Sequence, residues 1–196
     1  MLDNELPGAP KGRLRKAQGA SPGNKYRNSG SPERAKQSPV LKRNAMAQSL
    51  SSVLVHFVFS TKDRFAFLTD SETRRQMHAY LARVFTGEDC PALEVGGTND
   101  HVHVLCSLSR SHSMSEVIRK AKANSSGWAK SLGGMLSKFS WQGGYGAFSV
   151  HPSQAAQVKS YIRNQDEHHR IRSFQEEYLD FLREYQVPYD ERFIWS

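Results

Sequence analysis

From residue 46 onward, the hydrophobic positions follow two periods. Continuous or alternating apolar runs predict strands, and apolar residues three or four positions apart predict helices. In chain order, the predicted elements are a strand (52–60), a helix (70–85), two strands (91–97 and 101–108), a helix (from 113 or 115 through 128), a strand within 139–150 and two helices (152–172 and 174–185). Asp70 and Ser173 stand where helix N-caps are expected.

The order of these elements predicts the fold class. A β-α-β-β-α-β-α sequence is that of a ferredoxin-like, or RRM-like, sandwich, an α+β fold in which one antiparallel sheet carries helices on one face. We expect a further C-terminal helix that bears Tyr161. Three glycines, at 143, 144 and 146, interrupt the pattern of the fourth strand.

Two histidines, His101 and His103, stand at the start of the predicted strand 101–108. Side chains two positions apart leave the same face of a strand. Both imidazoles therefore project together, while Val102, Val104 and Cys106 supply the core on the other face. Such a pair is often only a half-buried polar pair, but its place directly after a turn favours a metal site. A closed structural zinc site would need four ligands, and no cysteine has a suitable spacing.

Tyr161 and Gln165 follow at the i, i+4 spacing that places side chains on one face of a helix. His168 and His169 continue that face, although they also suit a solvated end favoured by the helix dipole. Two imidazoles, an amide oxygen and a phenol are the groups needed for metal-assisted attack by tyrosine on a phosphodiester. Imidazole suits Mn or Zn better than Mg, but a site with open water positions can hold Mg or Mn beside a phosphate.

The first 45 residues differ from the rest in composition. They hold five of the eight prolines, one aromatic residue and no isoleucine. They also carry ten basic residues against three acidic ones, so all but one unit of the net charge of +8 lies there. A segment of this kind buries too little apolar surface to fold, and we expect it to be disordered. The folded part, 46–196, is then a single domain that is nearly neutral.

Two interpretations of this basic segment stay open. It is either an arm that adds non-specific phosphate contacts, or it precedes a natural start at Met46, which we favour because the first strand begins soon afterwards. Apolar runs stay well short of the ~20 residues that span a membrane. Cys90 and Cys106 are too few for a disulfide framework. We therefore expect a cytoplasmic protein without membrane association.

Five segments of the chain, in order, resemble the HUH-type single-tyrosine transposases, which move small bacterial insertion sequences as single-stranded DNA. The resemblance covers roughly 50–196, including the ending at 189–195. The five segments are VHFVFSTKDR (55–64), DHVHVL (100–105), SSGW (125–128), FSWQGGYGAFSV (139–150) and YIRNQDEHH (161–169).

The resemblance implies a role for each of the candidate residues. Tyr161 would be the catalytic nucleophile and form a 5′-phosphotyrosine bond. His101 and His103 would bind a divalent cation, Mg or Mn, with Gln165 as the third protein ligand and His169 as a lesser contact. The resemblance also implies a homodimer and a single-stranded DNA substrate, often with hairpin ends.

Basic residues outside the tail are candidate contacts to DNA phosphates, although helix lysines more often form only a solvated face. The candidates are Lys62, Arg64, Arg119, Lys120 and Lys122. Other functions stay open: an RRM-like nucleic-acid-binding module without chemistry, a domesticated relative acting on repeated palindromes, or a replication-type nickase. A phosphoesterase with paired His-x-Ser/Thr motifs is less suitable, because the chain has one His-x-His motif.

Overall fold

The computed structural model describes residues 50–190, 192, 194 and 195. The predicted disordered tail, 1–45, lies outside these residues. The described part contains, in order, β1 (Leu54–Ser60), α1 (Ser71–Gly87), β2 (Ala92–Gly97), β3 (His101–Ser107), α2 (Met114–Ser131), β4 (Gly146–Val150), α3 (Ala155–Arg163), α4 (Gln165–His168) and α5 (Phe174–Glu184). Short 3-10 helices lie at Lys62–Arg64, Gly134–Lys138 and Pro152–Gln154.

The four strands form one antiparallel sheet in the order β2-β3-β1-β4. The first and third strands are central, and their register pairs Ser60 with His101 and Val58 with His103. A sheet with β1 and β3 in the centre and β2 and β4 at the edges is the ferredoxin-like arrangement, so the predicted fold class is confirmed. The C-terminal end of β1 therefore lies beside the two histidines.

One face of the sheet packs against α1 and α2. Alternate residues of β1 and β3 point to this side, and together with apolar side chains of the two helices they form the largest buried cluster. Val102, Val104 and Cys106 belong to it, as the alternation of the strand predicted. Hydrophobic packing on this face stabilises the sheet without the histidines, because the side chains of His101 and His103 project from the opposite face.

The opposite face of the sheet is covered by the C-terminal helices. Val158 and Ile162 of α3 pack against Leu105 in one buried cluster, and Phe181 of α5 packs against Val58 in another. Because helices lie on this side as well, the histidines of β3 are enclosed rather than exposed: His101 is 1% and His103 0% accessible. The site therefore sits between the sheet and the C-terminal helices.

Local signals in the sequence fix most helix starts. The carboxylate of Asp70 accepts a hydrogen bond from the Thr73 amide, Ser113 caps α2 in the same way, and Ser173 forms a capping box with Glu176. Each of these satisfies an amide at a helix N-terminus that would otherwise lack a partner.

The prediction of one continuous helix over 152–172 is wrong. The α-helix begins at Ala155 and is interrupted at Asn164, whose φ and ψ of −97° and 20° leave the helical region. A four-residue helix, α4, follows, and the chain turns before α5. Asn tolerates such a break because its short polar side chain competes for backbone hydrogen bonds.

None of the helices in the described ranges is long and apolar enough to cross a membrane.

We expect Gly96→Ala to destabilise the protein because α3 packs directly on β2 at this glycine. A Cβ atom there would lie 2.3 Å from the carbonyl oxygen of Ile162. Overpacking of this kind costs about 1–3 kcal/mol, measurable by urea unfolding.

The matched control is Gly127→Ala, an exposed α2 position where a Cβ atom meets nothing within 4 Å. We expect this variant to be stabilised by about 0.5–1 kcal/mol, because alanine restricts the unfolded chain. Equal unfolding midpoints for the two variants would contradict the close packing of α3 on β2.

Candidate active site

The β2–β3 turn orients His101. Its Nδ1 lies 2.7 Å from Asp100 Oδ1 and 3.0 Å from Thr98 Oγ1, and its Nε2 lies 3.1 Å from Gln165 Oε1. A carboxylate only accepts hydrogen bonds, so Nδ1 carries a proton and its N–H donates a hydrogen bond to Asp100. Its Nε2 atom faces the amide oxygen of Gln165. A histidine held by a carboxylate in this way is typical of a metal ligand.

Asp100 is itself held in its ionised form. Burial opposes ionisation, but the hydrogen bond with His101 and the ion pair with Arg64 outweigh it and keep the pKa of Asp100 well below its usual range. The guanidinium of Arg64 donates to Asp100 Oδ2 from Nη2 at 2.8 Å and from Nε at 3.2 Å. The orientation of His101 therefore depends on an ion pair that includes one of the predicted DNA contacts.

His103 is buried between the first strand and the last helix. Its Nδ1 lies 3.0 Å from Nε2 of His56, and its Nε2 lies 3.5 Å from Glu177 Oε2. Burial, together with neighbouring imidazoles, lowers the pKa of both His103 and His56 well below the ordinary value. Both rings are therefore neutral at physiological pH, and neutral imidazole is the form that binds metals.

Gln165, at the start of α4, connects the groups of the site. Its amide oxygen lies 3.1 Å from His101 Nε2 and 3.0 Å from His169 Nε2, and its amide nitrogen donates to Glu177 Oε1 at 3.0 Å. This hydrogen bond places the amide nitrogen toward Glu177 and the amide oxygen toward the imidazoles. Gln165 therefore presents an oxygen to the centre of the site.

His169 has the same arrangement as His101. Its Nδ1 lies 2.8 Å from the carbonyl oxygen of Arg172, which only accepts, so Nδ1 donates there. Burial, together with the neighbouring His101, lowers the pKa of His169 to about 4, and the ring is neutral with its Nε2 lone pair facing Gln165. The interpretation of this histidine as a solvated helix end is wrong, because the chain turn after α4 directs it inward.

Glu177, on α5, is the group that sequence reasoning missed. Its side chain is 0% accessible, and Oε2 lies 3.4 Å from His169 Nε2. Burial raises the pKa of Glu177 to about 8. It follows the acidic Glu176 in an amphipathic helix, where a carboxylate ordinarily faces solvent. Only its burial between residues distant in sequence distinguishes it.

The donor set fits a divalent cation. One side-chain atom each from His101, His103, His169 and Glu177 lies within 4.8 Å of the other three. Donors about 2.1 Å from a common ion are about 3 Å apart when adjacent and about 4.2 Å when opposite, so small side-chain movements suffice. Imidazole nitrogens, the Gln165 amide oxygen and the Glu177 carboxyl group face one another here, and these are donor atoms that bind divalent cations.

Tyr161 lies beside this cluster. Its ring centroid is 5.8 Å from that of His103, nearly perpendicular to it, and 5.3 Å from that of His168. Six buried polar side-chain atoms in the part of the chain that the structure describes have no hydrogen-bond partner, and four of them belong here. They are Tyr161 Oη, His103 Nε2, His168 Nε2 and Glu177 Oε2.

The predicted phosphate contacts divide between the two sides of the sheet. Lys62 is exposed, and Arg64 lies over the ring of Phe174 at 5.4 Å and pairs with Asp100 beside His101. The other three are on α2, which packs against the opposite face. Lys120 pairs with Glu88 at 2.6 Å, and Lys122 donates to main-chain carbonyls of the glycine-rich loop at 2.6 and 2.7 Å, while Arg119 is exposed.

Comparisons with known proteins place the chain in a family. Residues 49–165 match the family described as IS200-like transposases. A search of curated proteins gives no match. Among solved structures, the chain is similar to a Deinococcus radiodurans R1 protein assigned as a transposase, with 21% identity, a TM-score of 0.48, and coverage of 60% of this chain and 94% of that one.

It is also similar to a REP-associated tyrosine transposase bound to a REP hairpin, with 13% identity and a TM-score of 0.47. That similarity covers 61% of this chain and 70% of the other. The family match includes both histidines of β3, Tyr161 and Gln165, and extends over more than half of the sequence. The chain belongs to the IS200-like transposase family and is a DNA-binding transposase.

Proposed function

We propose that this transposase cleaves and rejoins single-stranded DNA, with Tyr161 as the nucleophile and a divalent cation held by His101, His103 and Gln165. One observation carries the proposal: the Tyr161 hydroxyl is buried without a hydrogen-bond partner, and its ring contacts that of His103. Buried hydroxyls are normally paired. An unpaired phenol beside a cluster of metal-binding groups is typical of a reactive residue rather than a packing one.

The chemistry exchanges one phosphodiester for another. The Tyr161 oxygen attacks the phosphorus and gives up its proton, the bond from phosphorus to the 3′ oxygen breaks, and that oxygen takes up a proton. The products are a 5′-phosphotyrosine and a free 3′-hydroxyl. Attack by a 3′-hydroxyl of another strand reverses these bonds and releases Tyr161. Because bond energy is kept in the phosphotyrosine, the exchange needs no nucleotide hydrolysis.

A phenol has a pKa near 10 and is a weak nucleophile at neutral pH. A divalent cation in the site supplies Lewis-acid polarisation of the phosphoryl oxygen. We add His169 and Glu177 to the ligands expected from the sequence, because their Nε2 and Oε2 atoms lie 3.4 Å apart within the same cluster. A set rich in imidazoles favours Mn over Mg.

Three further parts of the proposal concern assembly and substrate. Tyr161 lies beside His103 of its own chain, which supports an active site assembled within one subunit. The homodimer and the hairpin-ended substrate are extended from the family resemblance and from the similar transposase bound to a REP hairpin. The Tyr161 hydroxyl is buried and its ring contacts that of Phe181 on α5, so the proposal includes a movement of α5 away from the sheet that lets a phosphodiester reach it.

The alternative of a binding module without chemistry is less well supported. An RRM-like module needs exposed aromatic side chains on the free face of its sheet. Here that face carries His56, His101 and His103, which are all buried beneath the C-terminal helices.

We expect Tyr161→Phe to abolish a covalent protein–DNA adduct. The full chain is incubated with Mn and labelled single strands that tile the DNA on both sides of its gene, and adducts are separated on denaturing gels. Removal of the nucleophilic oxygen should reduce the adduct by at least about a thousandfold. The matched control, Tyr80→Phe, changes a tyrosine stacked on Trp128 on the other side of the sheet and should keep it.

An adduct of undiminished intensity in Tyr161→Phe would remove this residue from the proposed role. His103→Ala provides a second test, because it should abolish cleavage while leaving binding of a hairpin oligonucleotide largely intact. A parallel loss of both, with unchanged thermal stability, would mean that His103 serves DNA binding rather than cation binding.

We expect Glu177→Gln to weaken Mn binding at least tenfold, as measured by isothermal titration calorimetry. The substitution removes the negative charge and keeps the shape, and loss of a ligand or its support costs about 10–100-fold in metal affinity. Wild-type protein should bind Mn more tightly than Mg. Without metal, the variant should be about as stable as wild type, because burial raises the pKa of Glu177 to about 8 and keeps the group uncharged at neutral pH.

The control is Glu184→Gln, seven residues later on the same helix, outside the metal-binding cluster. Mn affinities that are equal for wild type, Glu177→Gln and Glu184→Gln would exclude Glu177 as a ligand. Melting temperatures recorded with and without Mn supply a second readout that does not depend on cleavage.

A further inference from the structure

A cleft of about 350 Å³ opens beside the candidate metal-binding cluster, which is formed by His101, His103, His169 and Glu177, and shares His101 and His169 with it. We call it the arginine cleft, because Arg64, Arg74 and Arg172 contribute to its lining. The three residues come from the segment after β1, from α1 and from the turn before α5. Three guanidinium groups from separate parts of the chain therefore meet at the edge of the candidate active site.

Two of these arginines have ion pairs that a ligand can replace. Arg74 Nη2 lies 3.3 Å from Asp166 Oδ2, and the Asp166 side chain is 68% exposed. Arg172 pairs with Asp180, whose side chain is 31% exposed. The Arg74 and Arg172 side chains are partly exposed, at 19% and 29%, and ion pairs that solvent reaches add little stability. Each guanidinium has five N–H donors, which leaves donors for a ligand beside the carboxylate partner.

Arg64 has a different position. Both of its hydrogen bonds go to one oxygen of Asp100, the residue that orients His101. It therefore links the cleft to the metal-binding cluster and leaves its second terminal nitrogen available. A group bound in the cleft would therefore contact Arg64, whose ion pair with Asp100 also orients His101.

We propose that the arginine cleft binds a backbone phosphate of the DNA strand next to the phosphate that is cleaved. A guanidinium group can donate two parallel hydrogen bonds to two phosphate oxygens, a bidentate geometry that suits phosphate recognition. The lining has three cationic side chains against two carboxylates, Asp100 and Asp166, and it includes Phe174 at the start of α5. This inference rests on the proposed function, because that function defines which phosphate is cleaved and therefore which phosphate lies next to it. Contacts to the backbone position a strand without reading its bases.

The test measures binding without chemistry. Full-length protein carrying Tyr161→Phe is titrated into a fluorescein-labelled dT12 single strand in EDTA, and anisotropy is recorded over a series of NaCl concentrations. We expect Arg74→Gln to weaken binding about three- to tenfold and to reduce the slope of log K against log salt by about 0.7, the value for one phosphate contact on a single strand. Arg74→Lys should retain most of the slope.

The matched control is Arg75→Gln. Arg75 follows Arg74 on α1, is 74% exposed and pairs with Glu72 at 2.7 Å, outside the cleft. Arg172→Gln should behave like Arg74→Gln, and melting temperatures exclude loss of α5 as the cause. If Arg74→Gln and Arg172→Gln lose no more affinity than Arg75→Gln, the arginine cleft does not bind the strand.

The outcome is independent of the adduct assay, since the nucleophile and the cation are both absent. Reduced binding in the cleft variants, with no adduct from wild-type protein, would keep the phosphate site and overturn the cleavage proposal. An adduct from wild type with full binding by the cleft variants would do the reverse.

Discussion

The convergence of lone pairs between the sheet and the C-terminal helices is the constraint on which the rest of this structure depends. His101 and His169 donate outward from Nδ1, so their Nε2 atoms face the oxygen of Gln165. Glu177 adds a carboxylate that no solvent reaches. Acceptors buried together raise the free energy unless a cation or a proton lies among them, and burial accordingly raises the pKa of Glu177 to about 8. These polar groups stay in place because hydrophobic packing on both faces of the sheet fixes the strands and helices that carry them.

Half of this arrangement follows directly from the sequence. Alternation along β3 placed His101 and His103 on one face and the core residues on the other, because a strand has a fixed period of two. The cap residues marked helix starts for a similar reason, since an unpaired amide at a helix N-terminus needs a nearby oxygen. Both are local relationships, and a single sequence contains all the information they need.

The remaining parts depend on contacts between distant residues. A carboxylate in the run Glu176-Glu177 gives no local sign that one member caps a helix while the other is buried against His103 and His169. The break at Asn164 also escaped the helical pattern, because one asparagine within apolar residues of helical spacing is a weak stop signal. Tyr161 and Gln165 both lie at the site, although the break places them in two successive helices rather than on one face of a single helix.

The last helix, α5, touches every part of the site. Phe174 at its start stacks on His101 and lies under Arg64, Glu177 contacts His103 one turn later, and Phe181 packs against Tyr161. A helix moves as a nearly rigid unit, so a displacement that opens Tyr161 to DNA also withdraws Glu177 from the imidazoles. With a cation held by His101, His103 and Gln165, access of the substrate and withdrawal of Glu177 would therefore be coupled mechanically. A phosphate oxygen of the incoming strand would then be the group to replace the carboxylate, because it offers the same charge and donor atom.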